Sequence, residues 1–346
     1  MKRILLLAAV FALAATSLAG ASSGGYAWQL TPTGSTARLR GLSAVSEQVA
    51  WASGSAGTVL RTTNKGATWQ SVGPPGTENL QFRDNEAFDA ETALIMSIGD
   101  TPDAFRIYRT TNGGRSWTLV FQNTEPTAFY DCMAFWDKHR GIAMSDPVNG
   151  RFRILTTDDG GRSWHIVDAD MPPAIPGEAG FAASGQCVTT AGGRDVWFGT
   201  GGGAVARVFH STDRGLTWTV HNTPIRSSPS AGVFALAFRD PQHGIAAGGD
   251  FLSPAASPDA LALTDDGGAS WRLVADAPNQ YRSGAHWVTG RDAIIVGPTG
   301  SDATFDQGRT WNRFDSGSFD TVDCAGGHAC WASGEAGRIA YLVRTR

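Results

Sequence analysis

Thr264-Asp265-Asp266-Gly267-Gly268-Ala269-Ser270-Trp271 has five counterparts in the chain, at Thr62 to Trp69, Thr110 to Trp117, Thr157 to Trp164, Ser211 to Trp218 and Thr304 to Trp311. All six fit Ser/Thr-x-Asp/Asn-x-Gly-x-x-Trp, and their starts lie 48, 47, 54, 53 and 40 residues apart. That spacing is too long for a leucine-rich array and suits the roughly 40 to 50 residues of a four-stranded propeller blade. The residue types suit a tight turn. Ser/Thr and Asp/Asn bond nearby backbone, Gly supplies a positive φ, and Trp packs back across the hairpin. Asp159, Asp213, Asp266 and Asp306 are therefore read as structural, although a catalytic site also needs carboxylates.

Upstream of each box the same order of elements recurs. In the first unit, Leu39 to Val45, Val49 to Ala52, Val59 to Thr62 and Trp69 to Val72 read as four strands. Their alternation of apolar and polar residues is incomplete, as expected when neighbouring blades cover both faces of a sheet. A seventh unit lacks its box: Trp331 to Gly337 repeats Trp51 to Gly57, and then the sequence stops at Arg346. Near the other end, Trp28-Gln29-Leu30 resembles the outer strand at Trp69. The expectation is an all-β chain with a single seven-bladed β-propeller over residues 22–346, its blade 7 completed by residues 26–33, which leaves no large free edge.

The box resembles the Asp-box (BNR repeat) of sialidases, sortilin-type receptors and related propellers, where it folds a peripheral hairpin and performs no catalysis. Thr-Thr-Asp/Asn-x-Gly-x-Ser/Thr-Trp over the whole repeat array is similar to the photosystem II stability/assembly factor family and its bacterial relatives. That resemblance implies a seven-bladed propeller acting as a binding or assembly module. In the photosynthetic proteins a basic strip docks a partner, whereas the arginines here are scattered along the sequence. A sialidase needs three arginines gathered on the substrate carboxylate, and the sequence does not identify such a set.

Composition agrees with a large core: 346 residues, 42% hydrophobic, 43 Gly, 12 Trp and only 17% charged exclude disorder, and the glycines follow no collagen period. With 28 Lys and Arg against 32 Asp and Glu, no electrostatic case for nucleic acid arises. Met1-Lys2-Arg3, an apolar run from Ile4 to Ala15 and small residues up to Ala21 read as a signal peptide over 1–21, and so predict a periplasmic or secreted protein. The run is shorter than the roughly 20 residues of a membrane span, so an integral membrane protein is not expected. Export permits disulfides. Cys324 and Cys330 bracket a turn and are expected to bridge, while Cys132 and Cys187 either pair or stay buried thiols. No cysteine spacing suggests a metal, and Gly199 to Gly203 lies between strands rather than before a helix, so no cofactor is expected.

In a propeller, the loops opposite the box hairpins surround the central channel and are the place for a ligand. In blades 2 to 6 these loops depart from the repeat, at Gly99 to Asp103, Ser145 to Asn149, Gly199 to Gly203, Gly249 to Leu252 and Gly300 to Asp302. Two interblade connections add Glu178, and Tyr281 with Arg282. Aligning the inner strands sets Asp84 level with Asp131, and Ser184 level with Ser283. These residues predict an acidic-rimmed pocket with Asp146, Glu178, Asp250, Tyr281, Arg282 and Asp302 as ligand contacts and Asp131, Asp146, Glu178 and Asp250 as the catalytic candidates. The leading expectation is a monomeric binding or assembly module for an envelope protein or a glycan. The alternative is a glycosidase-like hydrolase or lyase with two carboxylates about a bond.

Overall fold

The six boxes fold by one set of bonds. In each, the leading Ser/Thr hydroxyl accepts from the glycine N–H and meets the Asp/Asn oxygen, which accepts the N–H two residues beyond that glycine. For Thr157, Asp159, Gly161 and Ser163 these distances are 2.9, 2.8 and 3.0 Å, and Thr264, Asp266, Gly268 and Ser270 repeat them at 2.8, 2.8 and 2.9 Å. Gly161 and Gly268 sit at φ +75° and +90°, where a side chain would be strained.

The computed structural model describes residues 25–99 and 101–345, and the segment 1–21 read above as a signal peptide lies outside them, as does Asp100. The chain is a seven-bladed β-propeller, each blade a four-stranded antiparallel sheet. The inner strands are Leu39–Ala44, Gln81–Ala87, Tyr130–Phe135, Val188–Ala191, Ala231–Phe238, Gly284–Trp287 and Thr321–Ala325, each beside the next and the last beside the first. Tyr26–Leu30 forms the outer strand of blade 7, antiparallel to Ile339–Arg344 with Trp28 opposite Leu342.

Seven apolar clusters hold the ring, one between each pair of consecutive blades. Each box tryptophan reaches back into the cluster shared with the preceding blade. Trp218 of blade 4 packs with Ile142 and Ile154 of blade 3, and Trp311 of blade 6 packs with Leu261 and Leu263 of blade 5. Trp28 serves the same purpose between blades 6 and 7. The box thus sets a turn and supplies an aromatic staple between blades.

Because strands alternate in direction, the box turns and the turns after the inner strands share one end of the ring. The connections between second and third strands, and between blades, lie at the other end. The long connection from blade 3 to blade 4 leaves this pattern: its residues 180–187 enter the central channel. Arg83 of blade 2 donates to Ala182 O at 2.7 Å, Ser184 donates to Ser283 O of blade 6, and the Gln186 amide donates to Ala285 O and Val322 O at 3.0 and 2.9 Å. Cys187 is disulfide-bonded to Cys132 on the blade 3 inner strand, which anchors the end of this plug. A second disulfide joins Cys324 to Cys330 across the turn of blade 7.

Candidate functional site

The plug divides the channel into two cavities. Gly180 to Ala183 line one of about 620 Å³ at the end where blades join. Ser184 to Gln186 line the other, about 280 Å³, at the box end with Asp84, Glu86, His286 and Asp323. The larger cavity falls in the range of small-molecule sites.

A backbone device builds the larger cavity. In four blades the inner strand carries a β-bulge one to three residues from its start. The register skips Arg40 in blade 1, Arg83 in blade 2, Asp131 in blade 3 and Phe234 in blade 5. All four side chains line this cavity. A bulge adds one residue to a strand and re-aims it, so equivalent bulges deliver equivalent positions. Asp146 is likewise skipped between Ser145 and Pro147 on the next strand of blade 3.

Three guanidiniums gather here. Arg38 is held by a bidentate pair to Asp320 at 2.7 and 2.8 Å. Arg83 spends its donors on Gln81 and Ala182. Among the described residues Arg40 makes no ion pair or side-chain hydrogen bond, and its Nε is buried without a partner. Burial, then the neighbouring Arg40 and Arg38 charges, lower Arg83 to about 10. Arginine does not lose its proton at neutral pH, so the shift reflects a buried charge first and neighbouring positive charge second, and an anion would offset both.

Asp131 and Asp146 line the same cavity. Burial, and then repulsion from Asp146, push Asp131 well above the usual carboxylate range; one of its oxygens has no hydrogen-bond partner. Burial raises Asp146 to about 6, although it accepts the Gly180 N–H at 2.7 Å. The wall between is aromatic. Phe181 stacks on Phe234 at 4.0 Å, and Tyr281 meets Phe234 edge-on at 4.8 Å. Phe251, 45% exposed, stands at the rim.

Of the residues singled out in the sequence, Asp131, Asp146 and Tyr281 come together here. Glu178 does not: buried with Arg207 and bonded to Thr200, it holds the blade 3 to blade 4 connection, because a buried carboxylate needs a charge partner. Arg282 and Asp302 form a buried ion pair with each other, joined by Arg313 on the Asp302 side, and offer a ligand no free group. Asp250 caps its own loop through the Leu252 N–H at 2.9 Å. Around the cavity three arginines stand among four carboxyls, Asp131, Asp146, Asp320 and Glu335, of which Asp320 and Glu335 pair with Arg38. Alignment of Asp84 with Asp131 is one residue out. Arg83 is the bulged counterpart of Asp131, and Asp84 lies beyond the plug, where it accepts the Met133 N–H. A one-residue slip in a strand reverses the face. Arg38, Arg40 and Arg83 were missed. Arg38 and Arg40 lie at the start of the blade 1 inner strand and Arg83 near the start of the next, in separate repeats; that matching place in two consecutive inner strands was the available signal.

No protein-family model matches the chain, and no curated protein matches it in sequence. Solved structures share its fold. YCF48 bound to D1 peptide superposes with a TM-score of 0.67 at 14% identity, over 91% of this chain and 96% of that one. YCF48 from Cyanidioschyzon merolae gives 0.66 at 15% identity, over 91% and 98%. The GH74 xyloglucanase from Xanthomonas campestris gives 0.64 at 15% identity, over 91% of this chain and 53% of the enzyme. These likenesses establish the propeller, which hosts both a binding protein and glycoside hydrolases.

Proposed function

We propose that this chain is a binding module whose partner places an anionic group among Arg38, Arg40 and Arg83 at the blade-joining end of the channel. The observation that carries this reading is Arg40, a guanidinium that lines the cavity and has no side-chain partner among the described residues. Guanidiniums recognise carboxylates and phosphates through paired N–H donors, and the bond strengthens where water is excluded. A peptide complex of a protein with this fold supports binding as the role. The N-terminal segment accords with export, which would make the partner an envelope protein or glycan and the role assembly-factor-like.

Thermal shifts against a panel of acidic peptides, acidic glycans and small organic acids test the proposal. At least one anion should raise the Tm of the wild type by several degrees at saturation, and Arg40→Ala should abolish the shift while melting unliganded at the wild-type temperature. Equal shifts in both proteins, or none with any anion, would overturn it. A hydrolase reading ranks second and rests on Asp131 and Asp146 as two carboxyls in one cavity. Turnover of a glycan by the wild type and its loss in Asp146→Asn would promote it.

A further inference from the structure

Resting on that anion-binding reading, we infer that the ligand is a carboxylated sugar, a uronic- or ulosonic-type unit seated end-on in the cavity. Four features of the cavity narrow the class.

The plug closes the floor. Gly180 to Ala183 form the base of the larger cavity and Ser184 to Gln186 the base of the smaller one, with the chain pinned to blades 2, 5, 6 and 7 and by a disulfide to blade 3. A polymer cannot thread through, so the site reads a terminal unit or a whole small molecule.

Charge is balanced for one negative group. Arg40 and Arg83 lack carboxylate partners among the described residues, whereas Asp320 and Glu335 pair with Arg38 and Asp146 stands in the same cavity. A phosphate or sulfate dianion would meet the Asp146 and Glu335 carboxylates as like charges. A single carboxylate on Arg40 meets less of that repulsion.

The carboxyls also ask for hydrogen-bond partners. Asp131 is 1% exposed and has an oxygen without a partner, an expensive state that a ligand hydroxyl, which both donates and accepts, would correct. A ligand that presents a carboxylate to Arg40 and hydroxyls to the carboxyls is a hydroxylated acid. Phe181, stacked on the buried Phe234, adds an apolar surface for the C–H face of a ring, with Phe251 at the mouth.

Backbone recognition of a peptide strand finds little purchase. Strand addition uses a row of unpaired N–H and C=O groups, but around this cavity Asp146 N–H bonds Phe129 O, Gly180 N–H bonds Asp146, and Ala182 O takes Arg83. The cavity presents side chains: guanidinium, carboxyl and rings.

Calorimetric titration with D-galacturonate, its short oligomers and N-acetylneuraminate, beside D-galactose and a peptide with a free acidic C-terminus, tests the inference. At least one acidic sugar should bind, D-galactose should not, Arg40→Ala should weaken binding at least tenfold, and Phe251→Ala should weaken it severalfold. Equal binding of D-galactose would overturn the inference, since the carboxylate would not be read. Binding of the peptide but no acidic sugar, lost in Arg40→Ala, would overturn the ligand class and leave the anion-binding reading standing. Failure of every anion, or indifference to Arg40→Ala, would remove both.

Discussion

At the periphery, six boxes place the same three kinds of side chain into the same bonds; around the channel, four equivalent bulges place Arg40, Arg83, Asp131 and Phe234 into one cavity. Both devices repeat with the blades, but they use repetition in opposite ways. A box bond is local, made within eight residues, so each copy must carry the same chemistry to make the turn. A bulge is a property of backbone pairing and leaves its extra side chain free. The ring can therefore keep its scaffold while each blade contributes a different group to the site.

The comparison breaks most visibly if the periphery proves dispensable. Trp218 is 6% exposed, donates to Gly215 O at 2.9 Å and fills the cluster between blades 3 and 4. Trp218→Ala should cost roughly 3–5 kcal/mol in urea unfolding, while Arg40→Ala at the channel should stay within about 0.5 kcal/mol of wild type. Equal costs would mean that the channel arginine also carries the fold.

Next in size are the two disulfides. The Cys132–Cys187 bridge closes a separation of 55 residues and holds the plug, against 6 for Cys324–Cys330. Loop-closure entropy gives about 4 kcal/mol for the first and about 2 for the second. Replacing each pair by alanine and comparing denaturation midpoints sharpens the comparison further if only loss of the channel bridge also weakens ligand binding.

The smallest effect is a pH dependence of opposite sign in the two regions. Burial alone would raise Asp159, but bonds from the Ser163 hydroxyl and N–H, Thr157 and Arg162 hold it at about 2. Its stabilisation is full above the ordinary carboxyl value and is lost as pH falls from about 4 to 2. Burial raises Asp146 to about 6, so the folded state keeps a proton that the unfolded chain releases. Its contribution is full below about 4 and fades as pH rises to 6. Melting temperatures across pH 2–7 should show both limbs, with Asp159→Asn making the acid limb, shared with Asp213, Asp266 and Asp306, shallower and Asp146→Asn doing the same to the upper one, shared with Asp84, Glu86 and Asp131. A single limb that neither variant makes shallower would refute the assignment.

How much of this was legible beforehand differs between the two regions for the same reason. The boxes announce themselves because Thr157, Asp159 and Gly161 and their counterparts find their bonding partners within one motif, and the spacing of the copies gives the blade period. Asp131, Asp146 and Tyr281 could be picked out as candidates, yet Glu178, Arg282 and Asp302 looked equivalent to them until Arg207 was seen to pair with Glu178, and Asp302 with Arg282 and Arg313. Those partners lie between 11 and 29 residues away along the chain, in other strands, where no local pattern points to them.

The sequence alone determined the all-β repeat, the seven-unit count and the structural role of the box aspartates, since each depends on contacts within a hairpin or on period. Only the tertiary structure decided what faces the channel. A bulge shifts the alternation of a strand by one residue and so turns Arg83, not Asp84, toward the cavity, and the plug at Gly180 to Cys187 finds its partners on five other blades. Register and long-range closure are set by the packing of the whole ring, and a sequence read in windows does not contain them.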